Sequence, residues 1–165
     1  MPPRVSSAHR RIATAGITYG LRDRVVALCD RNTVRLNLAR EKHGGSPALF
    51  TDYDAFLREG KMDVVLITAP DYLHCELALK AFAAGKHVIT EKPMAVSVEQ
   101  CDRMIAAARR AGRDLQVTFN LRYAPKFLAL KTLVRRAEIG SVVAMESDDV
   151  RVIGHGSDYF RRWHR

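Results

Sequence analysis

The sequence predicts an α/β fold, a doubly wound parallel sheet, and two observations carry that reading. Short β-branched apolar runs, among them VVALCD (Val25 to Asp30), DVVLIT (Asp63 to Thr68) and HVIT (His87 to Thr90), alternate with longer stretches of helical periodicity. That alternation is the βαβ rhythm of a sheet covered on both faces. Each run also closes on a polar or proline-bearing tip: Asp30-Arg31, Ala69-Pro70-Asp71 and Glu91-Lys92-Pro93. Ligands of open α/β sheets bind at that carboxyl edge.

The elements follow in order. Arg11 to Gly16 opens the sheet and Val25 to Asp30 is its second strand. Only Ile17 to Arg24 separate them, fewer than the roughly 10–12 residues a helical crossover needs. The phosphate-cradling G-x-G-x-x-G is missing; Gly16 and Gly20 are the nearby glycines. The expected sheet is therefore incomplete at its first βα unit. Asn32 caps a helix that runs to His43 and stops at Gly44, and Gly45-Ser46-Pro47 is a turn. Ala48 to Thr51 is a strand, and Asp52 to Glu59 a helix whose Phe56 and Leu57 face the sheet, with Gly60 as its stop. After Asp63 to Thr68, Pro70 ends the ladder and Asp71 caps a helix to Ala84, with Leu73, Leu77, Ala81 and Phe82 inward. Gly85 then suits the left-handed helix end. His87 to Thr90 reads as a strand covered on both faces. Ser97 and Gln100 form a capping box, with Val96 and Cys101 as its hydrophobic staple. The helix to Ala111 turns Cys101, Met104, Ile105 and Ala108 inward and ends at Gly112. Leu115 to Phe119 is the next strand, Pro125 to Ile139 a helix, and Val142 to Val152 a long strand.

Composition narrows the function. The 165 residues suffice for one sizeable core, with 47% hydrophobic and 27% charged residues. The net charge of +9 raises nucleic-acid binding. The arginines are dispersed, however, and no aromatics interleave with them as a base-stacking platform requires, so no nucleic-acid partner is expected. No run approaches the roughly 20 apolar residues of a membrane span, and MPPRVSSAHRRI lacks the apolar core of a signal peptide. Cys29, Cys75 and Cys101 lie apart without metal spacing, so no metal site is expected. The expected location is cytoplasmic, where thiols stay reduced.

An E-K dipeptide at a loop is ordinarily a solvated pair. Here it sits inside GKHVITEKPMAVSVEQ, Gly85 to Gln100, which in order, spacing and flanks closely resembles the signature of the Gfo/Idh/MocA family of nicotinamide-dependent oxidoreductases. Two further elements extend the resemblance. Thr68-Ala69-Pro70-Asp71-Tyr72-Leu73-His74 resembles the family's T-x-P-[ND]-x-x-H, and Asn120-Leu121-Arg122-Tyr123 its N-x-R-[FY]. Over roughly residues 25–165 the resemblance implies a Rossmann-like nucleotide-binding domain, about 11–123, and the start of an α/β substrate and oligomerisation domain, 124–165.

The implied chemistry is hydride transfer between a sugar or polyol carbon and the nicotinamide of NAD or NADP. Lys92 is the implied catalytic residue. A free lysine titrates near 10.4, so it is read as hydrogen-bond donor and proton relay. Glu91 is placed on the nicotinamide ribose. Asp30 is placed on the adenosine ribose, and Arg31 beside it suits a 2′-phosphate, which leaves NAD and NADP both open. Thr68, Ala69, Pro70, His74 and Asn120 are placed beside the cofactor, and Arg122 and Tyr123, with Lys92, on the substrate. Whether Pro93 is cis stays open. DYFRRWHR, Asp158 to Arg165, resembles a segment preceding the family's catalytic histidine. The chain by itself is therefore expected to be inactive, and homo-oligomers to form through the C-terminal sheet. The alternatives are an inactive remnant or a binding protein on a Rossmann scaffold.

Overall fold

The computed structural model describes residues 11–15, 24–43 and 46–146. Strands β1 (Arg11–Ala15), β2 (Arg24–Cys29), β3 (Ala48–Phe50), β4 (Val64–Ile67), β5 (His87–Glu91) and β6 (Leu115–Thr118) make one parallel sheet in the order β3-β2-β1-β4-β5-β6. The helices are α1 (Thr33–His43), α2 (Tyr53–Glu59), α3 (His74–Ala83), α4 (Val98–Ala111) and α5 (Pro125–Arg135). This is the doubly wound, Rossmann-like order. The chain divides into two compact units, the first ending at Thr118 and the second beginning at Phe119.

Right-handed crossovers decide which face each helix covers. The step from β2 to β3 runs one way across the sheet, and the steps from β3 to β4, β5 and β6 run the other. Helix α1 therefore lies on one face and α2, α3 and α4 on the opposite one. The second face holds the main core: Ala27 and Cys29 of β2, Val65 and Ile67 of β4 and Val88 of β5 pack with Phe56, Ala78, Phe82 and Met104. The alternate residues Val64 and Leu66, with Ile89 against them, form the smaller cluster on the α1 face. Phe56 is fully buried, edge-on to Phe50 at 5.9 Å and stacked on Tyr53 at 5.6 Å. The Tyr53 hydroxyl donates to the Leu77 carbonyl at 3.0 Å, tying α2 to α3.

β1 and β2 pair in parallel across residues 16–23, a connection outside the described residues.

Several expectations are corrected. Helix α3 buries His74, Cys75, Ala78, Ala81 and Phe82, while Leu73 and Leu77 are only partly covered. Its stripe is rotated because α3 packs on both the sheet and α4. A 3-10 turn, Asp71–Leu73, precedes it, and the Asp71 carboxylate accepts the Tyr72 N–H at 2.8 Å instead of capping α3. In α4, Met104, Ala107 and Ala108 are buried, but Ile105 is 38% exposed because β6 is an edge strand and leaves the helix's outer flank open. The capping box is half made. Ser97 Oγ accepts the Gln100 N–H at 3.3 Å, yet Gln100 Oε1 is buried without a hydrogen-bond partner. Val96 is half exposed and contributes little as a staple. Strand β5 alternates between buried and half-buried positions instead of being sealed on both faces.

The chain end also departs from expectation. Helix α5 stops at Arg135, short of Ile139. Residues 141–146 belong to no strand, and 147–165, with the rest of the expected Val142 to Val152 strand and DYFRRWHR, lie outside the described residues. An alternating pattern becomes a strand only where a partner supplies the ladder. Gly85 does take a left-handed φ of 70°, as its place after α3 requires. Gly60 serves differently: a Cβ there would meet Phe56 O at 2.6 Å, so close approach, not backbone freedom, selects glycine.

Candidate functional site

All strands point the same way, so the tips of β2, β4 and β5 share one edge. The strand order reverses between β1 and β4, which opens a crevice there. β2 and β5 are three strand spacings apart, about 14 Å, a span for an extended ligand.

At the β2 tip, Asp30 Oδ1 accepts the Asn32 N–H at 2.7 Å and Arg35 Nη2 at 3.2 Å. Among the described residues Oδ2 accepts nothing, and the side chain is 34% exposed. Asn32 caps α1 as expected, its Oδ1 accepting from the Val34 and Arg35 amides. Arg31 is exposed. Arg35 was not singled out from the sequence. Its place at the third position after the cap, one helical turn above Asp30, was the available signal. Before Asp30, burial pushes the Cys29 thiol up to about 11, helped by the Asp30 and Asp52 charges. Cys29 is thus a protonated core group, not a nucleophile.

The β4 and β5 tips are neighbours, since Ile67 pairs with Thr90. Thr68, Ala69 and Pro70 are half-buried at the first tip. At the second, Glu91 Oε2 accepts the backbone N–H of Lys92 at 3.1 Å. The carboxylate is folded onto the main chain, so it leaves the Lys92 ammonium alone. Lys92 is exposed, and no carboxylate among the described residues pairs with its Nζ. The Lys92–Pro93 bond is cis. Beneath both tips His74, 1% exposed, sets Nδ1 2.8 Å from Pro93 O and Nε2 2.8 Å from Ala69 O. Its ring does project toward the strand ends. The two carbonyls it meets were not foreseen, because backbone acceptors leave no mark in side-chain identity.

Asn120, Arg122 and Tyr123 belong to the second unit, in a 3-10 turn that opens it. Asn120 Oδ1 accepts the Leu121 N–H at 2.8 Å, and the Arg122 guanidinium lies 4.7 Å over the Phe119 ring. Tyr123 is exposed. Among the described residues no three His, Cys, Asp or Glu side chains gather as a metal site, and no helix is long and apolar enough to cross a membrane.

Residues 6–119 match the Gfo/Idh/MocA family, described as an oxidoreductase family with an NAD-binding Rossmann fold. Inositol 2-dehydrogenase of Salmonella typhimurium is 35% identical over 117 residues, which are 70% of this chain and 35% of that protein. The chain thus spans about a third of that relative's length. Among solved structures, scyllo-inositol dehydrogenase from Lactobacillus casei with bound NAD(H) and scyllo-inositol superposes with a TM-score of 0.74 at 22% identity. That match covers 81% of this chain and 43% of the other, and it establishes the likeness of fold. The WlbA dehydrogenase from Bordetella pertussis, in complex with NADH and UDP-GlcNAcA, gives a TM-score of 0.73 at 27% identity over 81% of this chain and 44% of that one.

Proposed function

Because the chain belongs to the Gfo/Idh/MocA oxidoreductase family, we propose that it carries the cofactor-binding part of a dehydrogenase acting on a sugar or polyol, with NAD favoured over NADP. The observation that carries the reading is one sheet edge bearing a carboxylate oxygen, Asp30 Oδ2, and an ammonium, Lys92 Nζ, that no other described residue engages. The described residues fit the two ends of a dinucleotide. Asp30 accepts hydrogen bonds from the adenosine ribose hydroxyls. Glu91, whose Oε2 is taken by the main chain, offers Oε1 to the nicotinamide ribose. Thr68, Ala69 and Pro70 line the neighbouring tip.

The bound nicotinamide supplies the hydride acceptor or donor. Lys92 does the chain's own part: Nζ donates a hydrogen bond to the reacting oxygen, giving that proton to it in reduction and, once it has lost a proton to solvent, taking the hydroxyl proton in oxidation. Asn120, Arg122 and Tyr123 are assigned to cofactor and substrate on the N-x-R-[FY] resemblance. The names of the relatives, inositol 2-dehydrogenase among them, support a polyhydroxylated substrate. Exposed Phe127, Leu130 and Leu133 of α5 support self-association through the second unit, and three free cysteines support a reducing, cytoplasmic location.

A second reading, a Rossmann-scaffold binding protein without turnover, is favoured by the eight-residue β1–β2 connection that lacks G-x-G-x-x-G. Thermal denaturation with NAD, NADH and NADPH separates the two. A ligand at 100 times its Kd stabilises a binder by about 2.7 kcal/mol. Turnover over an inositol and sugar panel, lowered about 10²–10⁴-fold in Lys92→Ala with NAD affinity retained, supports the dehydrogenase reading. Equal turnover in the variant removes Lys92 from it, and stabilisation without turnover favours the binding protein.

A further inference from the structure

The backbone ladder between β4 and β5 ends at Ile67 and Thr90. Two residues past β4 and two past β5, the Ala69 and Pro93 carbonyls stand beyond the reach of strand pairing. Pro93 is itself exposed and Ala69 half-buried, so what fixes these two carbonyls is the side chain that meets them from below. His74 faces both, at 2.8 Å each, from the first turn of α3, and only 1% of the residue is exposed. Among the described residues it is the larger of the two fully buried polar side chains, Thr90 being the other. A histidine there is expensive unless its nitrogens meet polar partners, and each lies 2.8 Å from a carbonyl oxygen. A neutral imidazole carries one N–H, so it donates to one of these carbonyls, whereas the doubly protonated ring donates to both.

We propose that His74 is a positioning residue, which clamps the β4 tip to the β5 tip through Ala69 O and Pro93 O and so sets where Lys92 stands. The proposal rests on the reading of Lys92 as the proton-handling residue. Pro93 follows Lys92 directly, and the Lys92 side chain is exposed with no ion pair among the described residues to hold it. The Cα from which the Nζ-bearing side chain extends is therefore set by the backbone on either side. Glu91 Oε2 holds the Lys92 N–H on one side, and His74 holds the Pro93 carbonyl on the other. Side-chain constellations that handle protons need such support to stay within a fraction of an ångström.

The clamp has two arms, both made when the ring carries a proton on each nitrogen, and substitutions divide them. In His74→Asn the amide nitrogen falls where Nδ1 was and keeps the Pro93 arm. In His74→Gln it falls where Nε2 was and keeps the Ala69 arm. His74→Phe keeps neither. The readout is amide hydrogen exchange of the full 165-residue chain. Lys92, whose N–H donates to Glu91 Oε2, reports the β5 tip, Leu73, whose N–H donates to Pro70 O, reports the β4 tip, and Met104 within α4 reports the core.

The expected result is more than tenfold faster exchange at Lys92 in His74→Gln, with Leu73 near wild type. His74→Asn should show the reverse, and Met104 should stay protected in both. Exchange does not depend on catalysis, so this outcome stands even if Lys92→Ala shows that Lys92 has no part in turnover. Where the chain turns over, His74→Gln should lower kcat more than His74→Asn at similar NAD affinity. If His74→Phe does not fold, the Asn and Gln pair still decides. Identical exchange in the two variants, or a loss spread evenly to Met104, would overturn the clamp and leave His74 a space-filling core residue.

Discussion

Replacing Asp30 separates a cofactor role from a purely local one. In the structure its carboxylate does two things: Oδ1 holds the Asn32 amide at 2.7 Å and Arg35 at 3.2 Å, and Oδ2 is left open by the described residues. Asp30→Ala removes both. The Arg35 pair is 69% exposed on the arginine side, so its loss costs little. The bond to the Asn32 amide is a local turn contact ahead of α1, worth about 1 kcal/mol. Asn32 continues to cap α1 through its own Oδ1, so the helix persists. The NAD term is larger. A hydrogen bond to a charged group is worth about 1.5–3 kcal/mol, which weakens Kd between roughly tenfold and a hundredfold. Asp30→Asn keeps an acceptor for the Asn32 amide while losing the charge, and it isolates that term. NADPH should respond in the opposite sense, because removing the carboxylate leaves Arg31 and Arg35 facing a 2′-phosphate without an anion between them. Titration of both cofactors, alongside thermal melts, checks this. A Kd for NAD unchanged in both variants, with a melt lowered in Asp30→Ala alone, would refute the ribose role.

Other expected outcomes concern stability. Phe56→Ala, at a fully buried position between Phe50 and Tyr53, should cost about 3–5 kcal/mol in denaturant unfolding. Ser97→Ala removes the one made half of the α4 cap and should cost about 1 kcal/mol, read by the melting temperature. Gln100→Met should leave that temperature unchanged or raise it, since it replaces a buried acceptor that has no partner; a clear fall would reveal a partner for Oε1. Between about pH 9 and 11 the folded chain keeps the Cys29 proton that the unfolded chain loses, so its stabilising contribution is complete below 9.0 and disappears as pH rises through about 11. Cys29→Ala should flatten that part of the stability–pH curve, measured by denaturant titration at each pH.

The sequence by itself determined the α/β class, the near-positions of the strands and the sheet edge that carries Asp30, Ala69-Pro70 and Glu91-Lys92-Pro93. These follow from local chemistry: β-branched runs, caps at Asn32 and Ser97, and Gly85 and Gly112 at helix ends. The tertiary structure decided what a side chain does once another element reaches it. Whether Gln100 completes a capping box depends on what surrounds its amide, and that amide is buried with Oε1 unanswered. Whether Ile105 is inside depends on what lies beyond β6, the sheet's edge. The tilt of α3's buried stripe came from α4, across a separation that helical periodicity does not see. The Val142 to Val152 pattern had no ladder partner at 141–146. His74 shows the same division most clearly. Its number in the chain placed it near the strand ends, but its two partners are backbone carbonyls 5 and 19 residues away, and only folding brings a main-chain acceptor to a given ring nitrogen.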